Sequence, residues 1–118
     1  MTDDFSKTIA EGYAFQGPTL LLGAPMRDGK VAGTTPIGIP LAMMNRHGLI
    51  AGATGTGKTK TLQSLAGQLS IAGVAAFLAD LKGDLSGLAA PGLTSTNVQD
   101  RAKACGIPFA PTAIPVEF

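Results

Sequence analysis

The sequence predicts an α/β fold: a parallel sheet with flanking helices, preceded by a small β-rich N-terminal element. Three observations carry that prediction. Residues 52–59, Gly-Ala-Thr-Gly-Thr-Gly-Lys-Thr, stand between a short apolar run, Leu49-Ile50-Ala51, and a segment with Leu62, Leu65, Ala66 and Leu69 at i, i+3, i+4 and i+7. A second apolar run, residues 74–79, is continuous, as in a strand buried on both faces. Strand, helix, strand in that order is the signature of a parallel crossover. With 118 residues the chain offers too few strands to close such a sheet, so it is expected to be the N-terminal part of a longer protein and an incomplete domain, with a minimal complete domain as the alternative. Residues 1–44 are expected to form a helix and a small β element, and residues 45–118 the first half of the core.

The elements follow from local patterns. Phe5, Ile9, Gly12 and Tyr13 fall at i, i+4, i+7 and i+8, giving a short helix with one apolar face and Asp3 or Asp4 as its cap. From Gly17 the signals change to Gly, Pro and β-branched residues. Residues 19–23 read as a strand, the Asp28-Gly29 pair as a turn, and Val31 onward as the returning strand. Residues 37–41 form another extended run, in which Pro40 marks an edge or a strand end. Residues 57–72 read as a helix closed by Gly73. Ser86 to Gly92 carries turn chemistry, Thr96 and Gln99 make a capping-box signature for a helix through Ala104, and Gly106 ends it.

The central run fits G-x-x-x-x-G-K-[ST], the phosphate-cradling P-loop, with every fixed position filled. A triphosphate is held by several backbone N–H groups turned inward, and a glycine-rich turn lets the chain wrap closely enough to present them. Gly52, Gly55 and Gly57 supply that freedom. The helix beyond begins with unpaired N–H groups and the positive end of its dipole, which favours phosphate. On this reading Gly52, Ala53, Thr54, Gly55, Thr56, Gly57, Lys58 and Thr59 bind ATP, Lys58 reaches the β- and γ-phosphates as the catalytic cation, and Thr59 holds Mg²⁺. Sixteen glycines make a chance match easier, and the flanking strand and helix are what argue against one. The parallel sheet expected here is therefore that of a P-loop NTPase.

Asp80 closes the second apolar run, at the carboxyl edge where open α/β sheets bind ligands. An apolar strand ending in Asp also resembles the acid that helps hold Mg²⁺. That role requires this strand to lie beside the one at 49–51, and strand order is not written in the sequence. With another strand between them, Asp80 is structural or makes subunit contacts. His47, the one histidine, has no cysteine, serine or second histidine near it to form a constellation and reads as a loop residue at a strand entry.

A net charge of +1, with 14% charged residues, provides no basic field for nucleic acid, so a DNA partner is neither supported nor excluded. A single cysteine, Cys105, makes no internal disulfide and fits a reducing compartment. Acidic Asp3 and Asp4 stand where a signal peptide is basic, and no apolar run approaches 18 residues. A soluble cytoplasmic protein without a membrane partner is expected.

Residues 45–59 and the segment Phe77-Leu78-Ala79-Asp80-Leu81-Lys82-Gly83-Asp84-Leu85-Ser86-Gly87-Leu88 together resemble the bacterial helicase HerA-like proteins, of the HerA/FtsK group of P-loop ATPases. The likeness is clearest over residues 37–92. It implies the ATP-binding part of a ring-forming, often hexameric homo-oligomer, with DNA-translocating motors among its better understood members. It also implies that the Walker B acid and the arginine acting across the subunit boundary lie further along than residue 118, and that Asp80 is not the Walker B acid. Hydrolysis of ATP is then expected of the complete protein. Two rival readings are a binding module that takes nucleotide without turnover, and a small nucleotide kinase or GTPase. The second should carry a base-selecting motif or an acceptor lid, and neither is found.

Overall fold

The computed structural model describes residues 4–118, so the expected cap at Asp3 lies outside the described residues. Backbone contacts divide the chain into two compact units. One comprises the described residues through Arg46 together with Ser95–Phe109, and the other His47–Thr94 with Ala110–Phe118.

The first unit opens with helix α1, Asp4–Gly12, followed by strands β1, Thr19–Gly23, β2, Met26–Arg27, β3, Lys30–Val31, and β4, Ile37–Pro40. The strand expected to return from Val31 does not pair with β1. Instead Met26 pairs with Val31 and Arg27 with Lys30 in a two-residue hairpin, and β1 pairs antiparallel with β4 in the register Leu20 to Ile39. The turn chemistry explains this. Asp28 at φ 50° and Gly29 at φ 75° close the tight loop that such a hairpin needs. Pro25, which has no N–H to give to a ladder, separates β1 from β2. Pro40 is the last residue of β4, opposite Thr19.

Leu20 is buried at 4% exposure, and Gly38 lies beside it. A Cβ at Gly38 would collide with Thr19 Cγ2 and come within 2.8 Å of the Leu20 carbonyl, so glycine is what lets β1 and β4 approach. Arg27 places its guanidinium 5.7 Å from the Phe5 ring centre, joining the β2–β3 hairpin to α1. Helix α3, Thr96–Ala104, completes this unit. Its N-cap is Ser95, whose Oγ accepts from the Val98 N–H at 3.3 Å, so the cap stands one residue before the expected Thr96.

The second unit is built on helix α2, Lys58–Ile71. Gly73, at φ 79°, ends it: its N–H donates to Ser70 O and the Val74 N–H to Leu69 O, both at 2.9 Å, the two bonds of a Schellman closure. Ala66, 6% exposed, and Leu85, 8% exposed, are buried where α2 meets a 3-10 helix at Asp84–Ala89. Leu65 and Leu69 are half-buried along the same helix, while Leu62 is exposed. The Ile114 side chain lies over Gly67, and the Ile114 N–H donates to Leu88 O at 2.9 Å.

The expected parallel sheet of a P-loop NTPase is corrected by this architecture. Among the described residues the only sheets are the two antiparallel pairs between residues 19 and 40. Residues 49–51 and 74–79 carry no ladder hydrogen bonds and are not strands. Their apolar character does not take them inside, since Leu49 is 90% and Phe77 96% exposed. An apolar run proposes a strand, but only a neighbour that pairs its N–H and C=O groups makes one.

Candidate functional site

Residues 52–59 form a turn running directly into α2. Gly55 at φ 80° and Gly57 at φ 96° occupy the left-handed region that side chains resist, and each has open space around the position a Cβ would take. Gly57 is the N-cap of α2 and makes no side-chain capping bond. The first turn of α2, with Lys58 and Thr59, therefore presents its N–H groups without a side-chain acceptor of its own. Left-handed residues alternating along a turn are the geometry that rotates successive N–H groups toward one anion.

Gly52 serves differently. Its φ is not positive, but a Cβ there would stand 2.5 Å from Thr56 Oγ1. Thr56 in turn donates its hydroxyl to Ala53 O at 2.7 Å, and Lys58 Nζ donates to the same oxygen at 2.7 Å. The Thr56 N–H approaches that carbonyl at 3.4 Å. Two of the expected site residues thus converge on the main chain of a third.

Asp80 is exposed and works as a loop cap. Its Oδ1 accepts from the Lys82 N–H at 3.0 Å and its Oδ2 from the Leu85 N–H at 2.6 Å. The Leu85 bond is the main reason its carboxyl is held below the usual carboxylate range. Desolvation works against the shift, and the amides of Lys82 and Gly83 add to it. Gly83, at φ 79°, starts the 3-10 helix that these amides enter. Of the two roles open to Asp80 from sequence, this arrangement is the structural one.

A shallow cleft of about 280 Å³ lies between the start of α2 and this loop, with Thr59 and Leu62 on one side and Asp80, Lys82 and Asp84 on the other. A larger cavity of about 630 Å³ is mostly apolar, walled by residues such as Ala66, Val74, Phe77, Leu88 and Ile114, and does not border residues 52–59. The smaller cleft sets the Thr59 hydroxyl and Lys82 beside two carboxylates, Asp80 and Asp84. His47 is exposed. Among the described residues, no three His, Cys, Asp or Glu side chains are grouped to hold a metal.

A family model described as helicase HerA-like C-terminal matches residues 26–118, which includes the whole 52–59 turn and the Asp80 loop. The chain belongs to this family. No curated protein and no solved structure matches it. In this HerA-like chain the match also takes in β2, β3 and β4, beyond the two segments that carry the resemblance most clearly. Among its described residues no helix is long and apolar enough to cross a membrane.

Sequence reasoning missed Gln63, whose Nε2 donates to Asp84 O at 2.7 Å and whose Oε1 accepts from Lys60 Nζ at 3.0 Å. A polar residue one turn into an amphipathic helix carries no sign of which loop it will reach. It missed the Thr56–Ala53 closure as well, although a threonine three residues after a turn carbonyl is a recognised local bonding pattern.

Proposed function

We propose that residues 52–59 bind the phosphates of ATP together with Mg²⁺, and that this chain is the nucleotide-binding segment of a HerA-like ATPase. The observation that carries the reading is the loop itself: left-handed Gly55 and Gly57 lead into an α2 start without a side-chain cap, with Lys58 and Thr59 in its first turn. The main-chain amides of Gly52, Ala53, Thr54, Gly55, Thr56 and Gly57 would line the phosphates. Lys58 would supply the positive charge at the β- and γ-phosphates, and the Thr59 hydroxyl would be the ligand to the metal. Mg²⁺, when bound, would supply charge neutralisation at the phosphates. The residues fit this pair, because the turn offers donors and a cation to the polyanion and a hydroxyl oxygen to the metal.

In the complete protein the reading extends to hydrolysis of ATP within a homo-oligomeric ring, with DNA as the polymer acted on. The family's description as helicase-like supports both extensions. A second reading, nucleotide binding without turnover by this chain, draws support from Asp80, whose two oxygens are already engaged by main-chain amides.

Titrating the chain with Mg-ATP, followed by calorimetry, tests the proposal. Lys58→Ala should weaken binding at least tenfold, since a charge-assisted contact to phosphate is among the stronger hydrogen bonds. Equal affinity in the two proteins would overturn it. Phosphate release measured on the same samples separates binding alone from turnover.

A further inference from the structure

The Ala53 carbonyl is the most contested acceptor in the candidate site. A carbonyl oxygen has two lone pairs, and here the Thr56 hydroxyl and the Lys58 ammonium each take it at 2.7 Å, with the Thr56 N–H a weaker third at 3.4 Å. Phosphate can also claim Lys58 and the Thr56 N–H, whereas the Thr56 hydroxyl is not among the groups assigned to phosphate above. An ammonium has three donors, so Lys58 can be shared between Ala53 and phosphate, and as phosphate draws on it the carbonyl needs a second donor to stay satisfied.

We propose that the Thr56 hydroxyl is the positioning group of this loop: it keeps the Ala53 carbonyl bonded and the 53–56 bend closed while Lys58 engages phosphate. The proposal rests on the nucleotide reading above and adds to it a residue that regulates how readily the site loads. Thr56 acts through Ala53 and Lys58, so it is not a catalytic residue. Gly52 supports the same assignment from the other side. A Cβ at that position would lie 2.5 Å from Thr56 Oγ1, so glycine at 52 leaves the room that the hydroxyl occupies. Removing the hydroxyl has two effects of one sign. The bend loses a closing bond and must be ordered when phosphate arrives, and Lys58 becomes the sole side-chain donor to Ala53, so less of its charge is free for phosphate.

The test compares wild type, Thr56→Val and Thr56→Ser. Valine keeps the shape and loses the hydroxyl, whereas serine keeps the hydroxyl. Mg-ATP titration should show about fivefold weaker binding for Thr56→Val, the equivalent of one net hydrogen bond, and recovery in Thr56→Ser. Hydrogen exchange of the amides of residues 54–57, measured without nucleotide, should be faster in Thr56→Val and restored in Thr56→Ser. Wild-type binding with unchanged affinity and exchange in Thr56→Val overturns the proposal alone. Failure of serine to restore both readouts also overturns it, by making the hydroxyl irrelevant. Absence of Mg-ATP binding by wild type overturns the nucleotide reading first and this proposal with it.

Discussion

Gln63 Nε2 donates to the Asp84 carbonyl over 2.7 Å, tying α2 to the 3-10 helix that follows the Asp80 loop. The bond spans 21 residues and sits next to the buried pair Ala66 and Leu85. Helix and loop are thereby held by this polar bond on top of a small apolar contact.

Gln63→Ala should therefore lower stability by roughly 0.5–1 kcal/mol, the net value of an intramolecular hydrogen bond at a partly exposed site. Gln63→Glu should cost at least as much, because it turns the donor into a carboxylate facing a carbonyl. Urea denaturation followed by circular dichroism reads both. A glutamate variant as stable as wild type would show that the bond does not hold the two elements together.

The Asp80 carboxylate gives the same loop a pH dependence. Its main-chain bonds, that to Leu85 first, lower its folded-state pKa below the value of an unfolded aspartate, about 3.9. A depressed acid contributes stability that is present above the unfolded value and is lost as pH falls through the folded one. The Leu85 and Lys82 amides should hence be protected from neutral pH down to the ordinary aspartate range and lose protection only below it. Amide exchange against pH checks this. Asp80→Asn, which retains one acceptor oxygen, should abolish the pH dependence, and a midpoint above 3.9 in wild type would contradict the argument.

Gly52 and Thr56 should behave as a coupled pair. Gly52→Ala puts a Cβ where the Thr56 hydroxyl lies, so the hydroxyl must rotate off Ala53. The Gly52→Ala change should speed amide exchange through residues 54–57. Added to Thr56→Ala, where there is no hydroxyl left to displace, it should have little further effect. Neighbours that share a partner are non-additive in this way. Strictly additive effects on exchange would mean that Gly52 is needed for another reason.

The turns and helices of this chain were readable in its residues, and its sheet was not. Asp28-Gly29, Gly73 and Gly106 each announce a backbone conformation that few residues adopt, and the chain adopts it at all three. Helix α2 follows its periodicity to within a residue at either end. Pairing is different in kind, because β1 meets β4 across a separation that no local pattern encodes, and the apolar runs at 49–51 and 74–79 have no pairing partner. In the candidate site, the glycine positions and the Lys58-Thr59 pair at the helix start could be read directly. The partners of Thr56, Asp80 and Gln63 could not, since each depends on where a neighbouring carbonyl or amide is turned.

Capping of α3 offers a sharp comparison between neighbours. Ser95 accepts the Val98 N–H, and Thr96 is already the first helical residue. Ser95→Ala should destabilise the helix by about 1 kcal/mol, whereas Thr96→Ala should be close to neutral or slightly favourable. Amide exchange of Val98 and Gln99 resolves the two. A larger loss from Thr96→Ala would return the cap to the capping-box position.

The apolar run at 74–79, exposed except at half-buried Leu78, gives the most direct test of the architecture. Phe77 in a strand covered on both faces would be a core residue, and truncating it would cost about 3–5 kcal/mol. At 96% exposure it has almost nothing to lose on leaving water-facing surface unchanged, so Phe77→Ser should alter stability by no more than about 0.5 kcal/mol. It should also raise solubility, because a large aromatic ring is taken off the surface. Leu81, likewise fully exposed, should respond in the same way to Leu81→Ser. Denaturation midpoints and the concentration at which the chain begins to associate measure the two effects. A multi-kilocalorie loss from Phe77→Ser would mean that residues 74–79 are buried in solution and that the arrangement described for them is wrong.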